Sequence, residues 1–94
     1  MKVRYTPQAK SDLTEIFSHI AQDNPRAARA VIATIRQEIT ILSDNPRLGR
    51  PGRVSGTREL VGSPLPYVVA YRIAGDFVDI LAVLHTARDW PLLL

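Results

Sequence analysis

The sequence predicts an α+β fold in which a two-helix antiparallel hairpin packs on one face of a small, mainly antiparallel sheet, in the order β-α-α-β-β-β. The first half carries two apolar stripes at helical spacing. The second half carries short runs rich in β-branched and aromatic residues, separated by Gly and Pro turns. With 94 residues, a single domain spanning residues 1–94 is expected.

Two helices follow a short strand at residues 2–5. Thr6-Pro7 and Asn24-Pro25 each place a capping side chain before a proline, which is typical of a helix start. The first stripe comprises Ala9, Leu13, Ile16, Phe17 and Ile20, and the second comprises Ala28, Val31, Ile32, Ile35, Ile39 and Leu42. Asp44-Asn45-Pro46 ends the second helix, and the short connection between the stripes predicts an antiparallel pair.

Three strands are predicted after a loop over residues 45–57. A short strand at 58–61 precedes a turn at Gly62-Ser63-Pro64, and residues 66–73 and 77–85 form a hairpin. A two-residue turn at Gly75-Asp76 sets Arg72 opposite Asp79.

This register divides the hairpin into two faces. The face expected to pack on the helices comprises Tyr67, Val69, Tyr71, Ile73, Val78, Ile80, Ala82 and Leu84. The face expected to point away from them comprises Val68, Ala70, Arg72, Asp79, Leu81, Val83 and His85. A slip of one residue would reverse the assignment.

Composition narrows the possible functions. The chain has no cysteine, which excludes disulfides and thiolate metal sites. The two histidines have no metal-ligand spacing, and no glycine-rich phosphate loop precedes a helix, so neither a metal nor a cofactor is expected. With no signal peptide and no apolar run that could span a membrane, we expect a cytoplasmic protein without a membrane partner.

The balance of charge is basic, with a formal net charge of +3 and a pI of about 9.8. Three arginines of the predicted loop, Arg47, Arg50 and Arg53, are followed by Arg58, and no acid lies between Asp44 and Glu59. The loop is either a solvated surface or a site that faces an anion, and uncompensated clustered charge favours the second interpretation. Arg50, Arg53 and Arg58 are therefore candidate residues for binding RNA or another macromolecular target.

A histidine closes the last strand and an arginine follows it. His85 either caps the strand as an ordinary polar residue or acts as a general acid or base. Arg88 and Arg72 would then neutralise charge on a phosphate. His85, Arg88 and Arg72 are the candidate catalytic residues. The apolar tail at residues 90–94 could cover the core or mediate self-association or contact with a partner protein.

The chain resembles the RelE/ParE superfamily of type II toxins over nearly its whole length. The order of elements matches, and so do five local phrases: Thr6-Pro7-Gln8-Ala9 with Asp12-Leu13, Asn45-Pro46-Arg47-Leu48-Gly49, Arg58-Glu59-Leu60, Pro66-Tyr67-Val68-Val69-Ala70-Tyr71-Arg72 and Val83-Leu84-His85-Thr86-Ala87-Arg88-Asp89-Trp90-Pro91.

This resemblance implies a toxin neutralised by a cognate antitoxin, with operator DNA bound only through the antitoxin. RelE-like members cleave ribosome-bound mRNA, whereas ParE-like members poison DNA gyrase without cleaving RNA. The arginines and His85 favour mRNA cleavage, but the chain has no Tyr after residue 71 and no Lys after residue 10, unlike RelE-like sites. Gyrase inhibition is the alternative, and an inactive homologue that only binds its antitoxin is a third.

Overall fold

The computed structural model describes residues 1–62 and 64–87. Its elements in chain order are β1 (Lys2–Tyr5), α1 (Pro7–Ala21), α2 (Pro25–Ile41), β2 (Arg50–Pro51), β3 (Arg58–Val61), β4 (Tyr67–Ala74) and β5 (Phe77–His85). The predicted α+β layout is confirmed. Ser63 of the predicted turn and residues 88–94, including Arg88 and the apolar tail, lie outside the described residues.

Both helix starts form as predicted. The Thr6 hydroxyl accepts a hydrogen bond from the Ala9 N–H at 3.2 Å, and the Asn24 side chain accepts from the Ala27 N–H at 3.0 Å. The Thr6 hydroxyl also donates to the Ile80 carbonyl at 2.7 Å. The cap of α1 is therefore also a link between that helix and β5.

Among the described residues, five strands form one sheet in the order β1-β5-β4-β3-β2. β1 runs parallel to β5, and the other neighbours are antiparallel. The two-residue β2 falls in the segment that the sequence predicts as loop, where Arg50 pairs with Glu59 and Pro51 with Arg58. The prediction missed it because Pro51 cannot donate a hydrogen bond to a ladder, and proline in a strand is confined to edges such as this one.

The helices cover one face of the sheet. The core cluster joins both helical stripes to β4 and β5 through Leu13, Ile35, Tyr71 and Ile80, among others. Phe17, which belongs to the first predicted stripe, is instead exposed. We call the helix-covered side of the sheet the inner face and the opposite side the outer face.

The β4–β5 hairpin follows the predicted register only as far as a β-bulge. Arg72 pairs with Asp79 and Tyr71 with Ile80, but Ala70 pairs with Ala82, so Leu81 is the extra residue. An extra residue reverses the faces of everything beyond it.

The predicted faces are therefore wrong from Ala82 onward. Val83 joins the core, and Tyr67, a core residue of the inner face, pairs with His85. Ala82 and Leu84, which were expected on the inner face, pair with Ala70 and Val68 on the outer one.

Candidate functional site

A row of charged side chains crosses the outer face. Arg4 of β1 makes a bidentate contact with Asp79, with Nε to Oδ1 at 2.7 Å and Nη2 to Oδ2 at 3.1 Å. Arg72 of β4 approaches the same carboxylate, with Nε 3.8 Å from Oδ2. The hydrogen bonds from Arg4 hold the pKa of Asp79 below its usual range against the opposing effect of burial, and the charges of Arg4 and Arg72 add to this.

Both arginines remain about half exposed at the side chain, whereas the Asp79 side chain is only 9% exposed. Two guanidinium groups around one buried carboxylate leave one positive charge in excess. The Arg4 guanidinium also stacks over the Phe77 ring at 3.7 Å from its centroid, which orients it. Arg72 is thus a partly compensated cation on an open surface. The sequence did not indicate Arg4 because strand order, which brings β1 beside β5, is not visible in it.

A second buried carboxylate organises the arginine-rich segment. Glu59 accepts a hydrogen bond from the Arg53 backbone N–H at 3.1 Å and lies 3.4 Å from Nη2 of Arg50. Glu59 is 8% exposed, so its carboxylate lies within the protein surface. Glu59 therefore neutralises part of the positive charge of this segment, which had no nearby acid in the sequence.

Arg58 braces the same segment. Its Nη1 donates to the Gly49 carbonyl at 2.7 Å and reaches the Arg47 carbonyl at 3.5 Å. The buried Tyr71 hydroxyl adds a second brace, because it donates to the Pro46 carbonyl at 2.7 Å and accepts from the Gly49 N–H at 2.8 Å. A Cβ on Gly49 would lie 2.7 Å from the Tyr71 ring and hydroxyl, so only glycine fits beside that side chain. These hydrogen bonds tie Pro46, Arg47 and Gly49 to β3 and β4.

His85 lies apart from this surface. Its ring meets that of Tyr67 edge-on, with centroids 5.4 Å apart and an interplanar angle of 85°. Its Nδ1 accepts a hydrogen bond from the Ala87 backbone N–H at 3.2 Å. Tyr67, its partner in β4, stands five residues from Arg72, which corresponds to about 17 Å of strand. The structure does not bring His85 and Arg72 together, because the bulge places them on opposite faces.

On the outer face, aliphatic side chains lie beyond the charged row, toward the end of β5. We call this area the outer apolar patch; it comprises Val61, Val68, Ala70, Ala82 and Leu84. Val61 at its edge is 45% exposed, Val68 is fully buried, and Ala70, Ala82 and Leu84 are partly exposed. No charged side chain belongs to the patch itself.

Asp12 is the residue that sequence reasoning missed most completely. Its carboxyl group is nearly buried on the sheet side of α1, where it accepts from the Val83 N–H at 2.9 Å and from the Gln8 side chain at 2.7 Å. The available signal was its position, since Asp12 lies three residues after Ala9 and four before Ile16 on the apolar side of the helix.

Comparison with known proteins assigns this architecture to a family. The family model for the ParE toxin of the type II toxin–antitoxin system parDE matches residues 3–90. The chain belongs to the ParE toxin family. It is therefore a RelE/ParE superfamily toxin of the type II toxin–antitoxin class, as the resemblance indicated.

Two curated relatives of the toxin align over almost its full length. It is 43% identical over 93 residues to putative toxin Y4kP of Sinorhizobium fredii, covering 99% of this chain and 96% of the relative. It is 36% identical over 87 residues to toxin RelE2 of Caulobacter vibrioides, covering 93% and 97%.

Two solved structures share the fold of the toxin. A chain of the chromosomal ParDE system from P. aeruginosa superposes with a TM-score of 0.82 at 27% identity, covering 90% of this chain and 95% of that one. A chain of the RelBE2 toxin–antitoxin complex from Mycobacterium tuberculosis gives a TM-score of 0.62 at 31% identity, covering 89% and 95%. In the described part of the toxin, no helix is both long and apolar enough to span a membrane.

Proposed function

We propose that this toxin acts by binding its target without catalysing a reaction on it, that the target is DNA gyrase, and that a cognate antitoxin neutralises it. The observation that carries the proposal is the separation of His85 from Arg72. A phosphodiester-cleaving site needs a proton carrier and a charge-neutralising group around the same phosphate. Here His85 and Arg72 lie on opposite faces of the sheet, about 17 Å apart along the strand. The third candidate, Arg88, lies outside the described residues.

The chemistry of the outer face supports the same proposal. Each exposed arginine near its centre already approaches a buried carboxylate: Arg4 and Arg72 approach Asp79, and Arg50 approaches Glu59. The outer apolar patch continues this surface with aliphatic side chains. An apolar area with arginines along one side suits a protein partner, since interface centres are depleted of charged residues and their rims retain them.

The family membership points in the same direction, because ParE-like members act on gyrase. An antitoxin partner is supported by the two structural relatives, which come from ParDE and RelBE toxin–antitoxin systems.

Ribosome-dependent mRNA cleavage is the second candidate. It is favoured by the exposed arginines of the outer face and by the 36% identity to toxin RelE2. In that mechanism His85 moves protons, Arg72 and Arg88 hold the scissile phosphate, and Arg50, Arg53 and Arg58 contact the RNA.

Controlled expression in bacteria separates the candidates. Gyrase poisoning predicts growth arrest with induction of the DNA-damage response while protein synthesis continues at first. Messenger cleavage predicts an immediate halt in translation without that response. Absence of growth arrest would contradict both and would identify an inactive homologue. Co-expression of the cognate antitoxin should restore growth in either active case.

A further inference from the structure

A second, smaller basic site lies at the end of the sheet, away from the Arg4–Asp79–Arg72 row. A cleft of about 330 Å³ is lined by Arg47, Pro51, Gly56, Thr57, Arg58 and Ile73. Its volume is at the lower end of the range for small-molecule sites. Among the residues that the structure describes, the lining includes two arginines and no carboxylate. The nearest acid in sequence, Glu59, is engaged by Arg50 and the Arg53 backbone.

The position of Arg58 is fixed by the fold. Its Nη1 donates to the carbonyls of Gly49 and Arg47, which orients the guanidinium. The N–H groups of Nε and Nη2 can still donate to a ligand. A guanidinium that is already ordered loses little entropy when it binds an anion, and its planar fork matches a phosphate group.

The other wall of the cleft is a tight turn. The Thr57 hydroxyl and backbone N–H both donate to the Val54 carbonyl, at 2.6 Å and 3.1 Å, and Gly56 has a φ of +83°. A Cβ on Gly56 would meet nothing within 4 Å, so the mouth of the cleft is open there. The exposed Arg47 side chain completes the lining, and in the described part of the chain it forms no ion pair.

We propose that the cleft between Arg47 and Arg58 binds a phosphoryl group, supplied either by a nucleic-acid backbone or by a free phosphate compound. Two guanidinium groups, one pre-ordered and one exposed, with no competing carboxylate in the described lining, make an anion site of this class. The proposal does not depend on which target the toxin has.

The first experiment measures binding of a fluorescently labelled DNA duplex to the purified toxin at several salt concentrations. Arg47→Gln should lower the slope of log K against log salt by about 0.9, the value for one lost phosphate contact. Arg29→Gln removes the same charge from the exposed surface of α2, outside the cleft, and should change the slope less. Arg58 is not the primary variant because it also braces the segment.

A second measurement distinguishes the source of the phosphoryl group. Inorganic phosphate is added to isotope-labelled toxin and followed by NMR. It should shift the Gly56 and Thr57 amide resonances in wild type and in Arg29→Gln, but not in Arg47→Gln. These shifts without an Arg47-specific salt effect on duplex binding would indicate a free phosphate compound. Equal slopes for the two variants together with no shifts at Gly56 and Thr57 would overturn the proposal. Larger shifts with a glutamate-rich peptide than with phosphate would overturn it too, in favour of a carboxylate site.

Discussion

The Asp12 carboxyl group on α1 accepts a hydrogen bond from the Val83 backbone N–H, 2.9 Å away across the helix–sheet interface. β1 pairs with β5 only as far as Tyr5 and Ile80, after which the chain leaves the sheet to enter α1. Beyond Ile80, no strand among the described residues lies on the side of β5 that faced β1. Asp12 supplies the acceptor that a strand would otherwise provide, just after the bulge that sets the side of the sheet on which His85 lies.

Replacing Asp12 by alanine should therefore destabilise the toxin by about 1–3 kcal/mol, the range for leaving a buried donor unsatisfied. Asp12→Asn keeps an acceptor oxygen and should cost less. Urea denaturation measures both, with Glu15→Gln on the exposed side of α1 as the control. A change below about 0.5 kcal/mol for Asp12→Ala would mean that water replaces the carboxyl group at no cost.

Tyr71 should contribute through its hydroxyl as well as its ring. Tyr71→Phe removes the hydroxyl that bridges the Pro46 carbonyl and the Gly49 N–H. We expect the free energy of unfolding to fall by about 1–3 kcal/mol, because these backbone groups are buried or partly buried and lose their partner. Hydrogen exchange at the Gly49 amide should accelerate more than exchange at the core strands. Unchanged exchange at Gly49 would show that Arg58 alone holds the segment.

Asp79 should make stability depend on acid pH. Its pKa is lowered in the folded state, chiefly by hydrogen bonds from Arg4. The folded protein therefore binds fewer protons than the unfolded chain, in which Asp has a pKa of about 3.9. The stability that Asp79 contributes is fully present above that pH. It is lost as the pH falls through the lower folded-state pKa. Asp79→Asn should be less stable than wild type at pH 7, and the difference should shrink as the pH is lowered below about 4. A difference that is constant with pH in urea titrations would contradict the assignment.

His85 should be dispensable for toxicity. Its described contacts are an edge-on ring contact with Tyr67 and a local hydrogen bond from Ala87, so His85→Gln removes packing of about 0.5–1.5 kcal/mol. Growth inhibition by this variant should stay within about twofold of wild type at equal protein level. Loss of toxicity in a variant that still binds antitoxin would return His85 to a catalytic role.

The outer apolar patch should matter more than His85. Val61→Asp places a charge at its exposed edge and should reduce toxicity at least tenfold with little loss of stability. Ile41→Asp is a matched control, because Ile41 at the end of α2 is 49% exposed against 45% for Val61. Equal effects of the two variants would exclude the patch as the target-binding surface.

Local signals in the sequence were sufficient for the helices and for one half of the hairpin. Thr6-Pro7 and Asn24-Pro25 predicted both caps, and the Gly75-Asp76 turn predicted the pairing of Arg72 with Asp79 correctly. The bulge at Leu81 was not predicted. It lies where the pairing of β1 with β5 ends and two residues before the N–H that Asp12 of α1 accepts, and neither feature is local to β5.

The candidate site shows the same division. The arginines of residues 47–58 are visible in the sequence, but their partners are not. That Arg58 braces Gly49 depends on β3 pairing with β2, and Arg4 joins Arg72 through the parallel pairing of β1 with β5.

The most direct test of the central claim is an assay of purified toxin in parallel on two targets. One reaction contains DNA gyrase, relaxed plasmid and ATP; the other contains ribosomes translating a defined mRNA, with fragment 5′ ends mapped. We predict inhibition of supercoiling by wild type, His85→Gln and Ile41→Asp but not by Val61→Asp, with the mRNA intact throughout. Cleavage of mRNA on translating ribosomes, abolished by His85→Gln while supercoiling is unaffected, would contradict the account.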